Sequence, residues 1–338
     1  PDFQEWRGEN GEKKDIRIID LMTHTSGIPP YAPVSELQEK YGSPNPKGLM
    51  EYISTCKRES KPQTKFQYSC LNYITLQHII ETITGQSLRD FAKENIFDIL
   101  GMQYTDYLPT IQQQDGKWIN TVACPWMDRI APTEKQKDGS VLCGQVHDPL
   151  ARILNGGISG NAGIFSNAND IGILAAALLN GGEYNGRRIL SPLGVKTMCT
   201  VPRELTAFGR TPGWDIFSPY ASNKGDLFSP NTFGHTGYTG TSIIIDPDND
   251  TAVILLVNAV HPEDRHSIVR LRSLVANAVA ASICPPAQVY TDHYYKRFLQ
   301  FETETPISPK DIVMVGNSLT ENGGNWSKRL NKKNIRNR

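Results

Sequence analysis

The chain has little of what marks several common protein classes. Its 35 basic and 35 acidic residues cancel, so no net charge draws it to nucleic acid, and no nucleic-acid partner is expected. Like charges stay in short runs until the closing "KRLNKKNIRNR". Apolar runs such as "AVILLVNAV" and "ILAAALLN" fall well short of the ~18 residues that span a bilayer, so no transmembrane segment is expected. Six cysteines (Cys56, Cys70, Cys124, Cys143, Cys199 and Cys284) are scattered without a C-x-x-C spacing. That pattern excludes a dense disulfide framework and a zinc-ribbon spacing. There is no H-E-x-x-H and no histidine pair at i, i+4, so no metal is expected, and His24 and His147 read as structural hydrogen bonders. No internal repeat, low-complexity tract or signal peptide is visible. The chain opens at Pro1 rather than Met, and its natural N-terminus is expected upstream.

What is present is enough for a large core. A length of 338 residues suggests about two domains and needs no staples. "IRIIDLMTHTSG" (Ile16 to Gly27) has helical spacing and stops at a glycine. "LNYITLQHIIETITG" is a stronger helix, with Leu71, Ile74, Ile79, Ile80 and Ile83 expected on one side and Gly85 as its C′ cap. "SNANDIGILAAALLNGG" is a third, capped by Ser166 or Asn167 and ended by Gly181. The stretch from Gln103 to Pro149 is long, polar and rich in Pro and Gly, and reads as an excursion that rims a site.

"TSIIIDPDNDTAVILLV" predicts a β-hairpin. Its second strand is apolar throughout and is expected to be covered on both faces. "SIVRLRSLVANAVAASICPP" predicts an amphipathic helix halted by Pro285 and Pro286. Helices, then an antiparallel hairpin, then a helix point to an α/β or α+β fold with helices on an antiparallel sheet. After Pro286 the composition changes to a linker-like stretch, 287–310. "IVMVG" (Ile312 to Gly316) is then a short strand of the buried type.

Chemistry concentrates in "FGHTGYTGTS" (Phe233 to Ser242). Alone, its H-T-G is an ordinary turn, since Gly and Thr are common there. Its company is more specific. "LMTHTSG", "YSCLNY", "NIFDILGMQYT", "GQVHD", "GNAGIFS" and "HTG" follow one another at defined spacing. In that order these blocks resemble the serine β-lactamase / penicillin-binding-protein-like family, in its class C-like esterase branch, from Pro1 to about Pro286.

The resemblance implies a β-lactamase/transpeptidase-like fold: an antiparallel sheet covered by helices, plus an all-helical subdomain. It also implies acyl transfer through a covalent acyl-enzyme, with no cofactor. In that chemistry a serine attacks a carbonyl, a lysine one helical turn later helps activate it, and a tyrosine shuttles the proton. Tyr68 matches the tyrosine. His235, Thr236 and Gly237 take the place of the family's K-T-G. The backbone N–H of Tyr238 matches half of the oxyanion hole. Cys70 and Asn72 fall where the tyrosine motif meets substrate. The implied substrate is a small ester or a peptidoglycan-like amide, and the implied location is periplasmic or secreted.

Three departures qualify this. Cys70 stands where Asn or Asp is usual, and a thiol is a poor partner for a substrate amide. His235 replaces a permanent cation. Both push away from a true β-lactamase, toward an esterase or a peptidase on D-amino-acid substrates. Third, only 22 residues precede Thr23, and none is serine. The S-x-x-K nucleophile is therefore expected upstream of Pro1, and the chain as given is expected to be inert. The alternative is a non-catalytic binding or scaffold member, to which Cys70 lends weight.

A second motif closes the chain. "DIVMVGNSLTENGGNW" resembles the first block of the GDSL/SGNH-type hydrolases, in which a serine follows a buried strand. The resemblance covers 311–338 and implies the first strand of an SGNH-type α/β domain, with Ser318 as its nucleophile.

Overall fold

The computed structural model describes residues 5–219, 224–265 and 267–283, together with residues 296, 300, 303, 312–314, 328 and 335–337. Ser318 and most of 287–310 lie outside the described residues.

After a short antiparallel strand pair, Glu5–Arg7 with Lys13–Asp15, come four helices: α1 (Ile18–Met22), α2 (Val34–Tyr41), α3 (Pro46–Thr55) and α4 (Cys70–Thr84). They share a core of Leu21, Ile28, Leu37, Leu49, Ile53, Leu71 and Ile74, closed by Leu150 and Leu154 from a wide π-type turn. The helix expected over Ile16 to Gly27 is only five residues long. It stops because Thr23 Oγ1 turns back to the Ile19 carbonyl and His24 adopts the left-handed region at φ 56°. Four hydroxyl- or imidazole-bearing residues then form a loop, 23–26, that is buried rather than helical.

α4 runs as expected and ends at Gly85, left-handed at φ 71°. Its buried face differs from the one read from spacing. Leu71 and Ile74 are buried, but Ile83 keeps 78% exposure. Asn72, Thr75 and Gln77 point inward instead: neighbouring loops offer Asn72 and Gln77 hydrogen-bond partners, and Thr75 Oγ1 donates back to the Leu71 carbonyl of its own helix.

The second layer set is an antiparallel sheet. Its strands are β1 (Phe233–Thr236), β2 (Ser242–Asp246) and β3 (Thr251–Leu255), in the order β3-β2-β1. β2 and β3 form the expected hairpin, with Ile244 opposite Val253. Successive strand residues face opposite ways, and helices fill both sides. Ile245 and Phe233 pack against α5 (Ala168–Leu179). Ile244 and Val253 pack against Ala276 of α6 (Val269–Ser282). The apolar strand β3 is thus met on both faces, although Leu256 beyond its end keeps 47% exposure.

α5 is capped by Asn167, whose Oδ1 accepts the Asp170 N–H at 2.8 Å. Its other end closes through Gly181 at φ 62°. α6 departs from a simple amphipathic helix. Its inward face carries Arg272 with Ala276, while Leu271 and Leu274 are left more than 40% exposed.

The chain divides into two units, Pro1–Ile283 and Cys284–Arg338. In the second, β4 (Ile312–Met314) pairs in parallel with β5 (Ile335–Asn337).

Gly27 fixes the loop that follows α1. It is left-handed at φ 77°, and a Cβ there would lie 2.0 Å from the Ser60 carbonyl oxygen. Gly27→Ala is therefore expected to cost about 2–4 kcal/mol, combining a disallowed backbone with a backbone clash. The midpoint of urea denaturation measures it, with the slope unchanged.

Candidate active site

Tyr68 lies in the extended segment that enters α4 and is half-buried. Three groups surround its ring. The His24 imidazole lies 4.2 Å away, centroid to centroid, and that of His235 lies 6.1 Å away. The Arg210 guanidinium carbon is 5.5 Å from the ring centre. The residues that bring these groups together are 186 positions apart in sequence from His24 to Arg210, so only the packed fold assembles them.

Arg210 is the residue the sequence did not single out. It is 1% exposed. Its Nη1 pairs with Asp215 Oδ2 at 2.5 Å, and its Nη2 donates to His235 Nε2 at 2.9 Å. Asp215 also accepts the Ser218 hydroxyl. Asp215 is fixed in turn by paired backbone bonds with Gly234 of β1, at 2.9 and 3.0 Å. An arginine side chain only donates, so His235 Nε2 must be the acceptor. The other ring nitrogen, Nδ1, then carries the proton and faces the Thr236 carbonyl at 2.9 Å. Burial, reinforced by the charge of Arg210, holds the His235 pKa below its ordinary value. His235 is therefore a neutral imidazole, and the permanent cation of the site is Arg210. The nearest signal in the sequence was the arginine of "FGRTPGW", which no spacing rule connects to "HTG".

The turn after β1 is built for close approach. Gly237 N–H donates to the Thr241 carbonyl at 2.8 Å. A Cβ on Gly237 would fall 2.3 Å from Thr241 Oγ1. From α6, Arg272 Nη2 donates to the carbonyls of Gly237 and Thr241, at 3.1 and 3.0 Å. This buried arginine, also unforeseen, holds the turn from behind. Thr236 and Gly237 sit at the end of β1 beside His235. Tyr238 stands at the apex, 74% exposed, with its hydroxyl donating to Asp264 Oδ2 at 2.6 Å. Its ring stacks on His147 at 5.7 Å, and His147 Nε2 is 3.3 Å from Glu134 Oε2. The excursion 103–149 thus reaches the H-T-G turn, and Lys135 N–H donates to the Pro262 carbonyl at 2.8 Å beside it.

The two predicted substrate contacts on α4 lie in different surroundings. Cys70 is half-buried next to Asn161, and burial pushes its thiol up to about 11. It stays protonated at neutral pH and is no substitute nucleophile. Asn72 was expected to meet substrate, but it is wholly buried. Its Oδ1 accepts the Ser26 hydroxyl at 2.6 Å and its Nδ2 donates to His24 Nδ1 at 3.2 Å. It braces the loop from within and does not line the cleft. One S-x-x-K spacing does occur in the chain, at Ser54 and Lys57. It sits at the end of α3, where Ser54 Oγ donates back to the Glu51 carbonyl. Among the described residues no group of His, Cys, Asp and Glu side chains is arranged to hold a metal.

Two predictions follow from the buried charges. Burial holds the pKa of His24 well below its ordinary value, and that of His235 is also lowered. The unfolded chain therefore takes up protons first as pH falls. Stability is complete above the unfolded value of ~6.5 and is lost below it, at about 1.4 kcal/mol per pH unit for each histidine. Denaturation midpoints at pH 7.5 and 5.5 measure this. Arg210→Met leaves Asp215 buried without its cation and is expected to cost about 3–5 kcal/mol. Adding Asp215→Leu should recover much of that loss.

Residues 5–277 match the family model described as Beta-lactamase. The Escherichia coli K12 protein named "Putative D-alanyl-D-alanine carboxypeptidase" is 34% identical over 265 residues, covering 74% of this chain and 58% of its own. A Salmonella agona protein of the same name is 33% identical over 278 residues, covering 77% and 61%. The chain therefore spans about three fifths of the length of these relatives. In fold, it resembles simvastatin synthase from Aspergillus terreus, with a TM-score of 0.55 at 16% identity over 84% of this chain and 76% of that one. It also resembles EstCE1, described as a hydrolase with promiscuous acyltransferase activity, with a TM-score of 0.53 at 19% identity over 81% and 74%. Among the described residues no helix is long and apolar enough to cross a membrane. With a family model spanning most of its length, and relatives a third identical to it, this chain belongs to the Beta-lactamase family.

Proposed function

We propose that the chain carries the cleft of an acyl-transfer hydrolase for D-amino-acid-terminated, cell-wall-type amides or for esters. The observation that carries this reading is the convergence of Tyr68, His235 and Arg210 at the β1 edge, beside the glycine turn. A permanent positive charge beside a phenol stabilises its phenolate, which a proton shuttle needs. Arg210 supplies that charge, and its contact with neutral His235 extends it toward the strand. Tyr68 then moves the proton between nucleophile and leaving group. The Tyr238 backbone N–H and the nucleophile's own N–H hold the oxyanion. Thr236, Gly237 and Cys70 border the substrate. The names of the E. coli and Salmonella relatives support D-alanyl-D-alanine-terminated peptides as the first substrate class to test. They also support a periplasmic or secreted setting for the peptidoglycan-like substrate.

This reading assigns the serine and its lysine to an S-x-x-K segment preceding Pro1. It assigns the tail to a second, SGNH-type hydrolase domain, with Ser318 as nucleophile. The parallel pairing of Ile312–Met314 with Ile335–Asn337 supports an α/β unit there.

The test uses D-alanine release from a D-Ala-D-Ala-terminated peptide. The 338-residue chain is expected to be silent. A longer polypeptide bearing S-x-x-K is expected to turn over, and Tyr68→Phe should lower its kcat by about 10²–10⁴. An unchanged rate would remove Tyr68 from the mechanism. For the tail, a serine-directed phosphonate should label the longer protein at two sites, and Ser318→Ala should erase one of them.

A further inference from the structure

One residue grips Tyr68 from three directions. The Gln67 N–H donates to the His24 carbonyl at 2.9 Å. The Ser69 N–H donates to His24 Nδ1 at 3.1 Å. Between them, the Tyr68 ring lies against the imidazole at 4.2 Å. Both chain neighbours of Tyr68, and Tyr68 itself, are therefore fastened to His24. Asn72 Nδ2 brings a second donor to the same Nδ1 at 3.2 Å. With donors on Nδ1, the proton of a neutral imidazole resides on Nε2. That nitrogen is buried and meets no hydrogen-bond partner among the described residues.

The backbone gives an independent sign. α1 ends with Thr25 N–H on the Asp20 carbonyl at 2.8 Å and His24 N–H on the Leu21 carbonyl at 3.3 Å. This is the Schellman pattern, with His24 at the left-handed position, φ 56°. Glycine takes that position without strain, whereas a side chain costs about 1–2 kcal/mol. The histidine there is 1% exposed. Packing alone does not account for it. An apolar side chain of similar shape would fill the space without burying an unsatisfied N–H. What neither glycine nor an apolar residue supplies is an acceptor at Nδ1.

We propose that His24 is the positioning residue of this cleft: a neutral imidazole, fixed with its proton on Nε2, that clamps 67–69 and so aims the Tyr68 phenol. It acts through Tyr68 and touches no reacting atom, so the inference rests on Tyr68 being the shuttle. Burial and the charge of Arg210 keep His24 from taking a second proton near neutral pH, so the clamp survives mild acid.

The test begins with the unmodified 338-residue chain and needs no turnover. Nitrogen-15 NMR of labelled histidine should show His24 with Nε2 protonated and Nδ1 bare, unchanged from pH 8 to pH 5.5. A proton on Nδ1, or a titration near pH 6.5, overturns the proposal. Two variants then separate the acceptor from bulk. His24→Asn places Oδ1 where Nδ1 was and tolerates the left-handed backbone. His24→Leu has similar size and no acceptor. Hydrogen exchange at the Ser69 amide is expected to be about tenfold faster in His24→Leu, and within about twofold of the unmodified chain in His24→Asn. Equal exchange in both variants overturns the clamp. Tyr68→Phe should leave the His24 tautomer and the Ser69 protection unchanged. Clamp signals intact while turnover ignores Tyr68→Phe would fail the functional reading alone. Clamp signals absent while turnover depends on Tyr68 would fail this inference alone.

Discussion

The cleft depends on one buried charge pair. A guanidinium at 1% exposure, with Asp215 as its partner, joins the segment before β1 to the strand itself. Removing two ions from water is costly, and their attraction repays it only with good geometry and satisfied neighbours. Here Asp215 accepts Ser218 and Arg210 reaches His235, while Arg210 Nε is buried with no hydrogen-bond partner among the described residues. The pair contributes little certain net stability. What it contributes is definition, because it dictates which nitrogen of His235 carries the proton and places a lasting positive charge 5.5 Å from the Tyr68 ring.

A second arginine does comparable work on the opposite side of the turn. Arg272 projects from α6 and binds two carbonyls of the H-T-G turn. A glycine-rich turn is conformationally free by itself. Bound by a buried cation from α6 and by the Tyr238–His147 stack, it is held in one conformation. Fixed donors are what an oxyanion site requires, since they need no reorganisation as charge develops. The loop around His24 follows the same principle, using strained backbone and buried hydrogen bonds to hold one side chain in place.

Much of this organisation was legible in the sequence. The β2–β3 hairpin followed from two β-branched runs around "DPDND". The ends of α4 and α5 followed from Gly85 and Gly181. The family followed from six short blocks in order. The buried face of α4 was not legible, because Asn72 and Gln77 are drawn inward by partners on distant loops. Ile83 has the right spacing for the core and no core to meet. Nor was the length of α1, which Thr23 and His24 end by local hydrogen bonding against the helical period.

By itself, the sequence determined the β2–β3 hairpin, the ends of α4 and α5 and the order of the motifs, because these depend on neighbours within a few positions; resemblance to the family singled out Tyr68. By resemblance to the family, it also suggested His235 as the residue in place of a lysine. Only the tertiary structure decided that this exchange leaves the site with a cation. Arg210 lies 25 positions before His235, and no periodicity relates them. The tertiary structure also turned His24 from a loop residue into a clamp. Charge compensation, tautomer and ring stacking are set by distances across the packed interior, which a linear reading cannot measure.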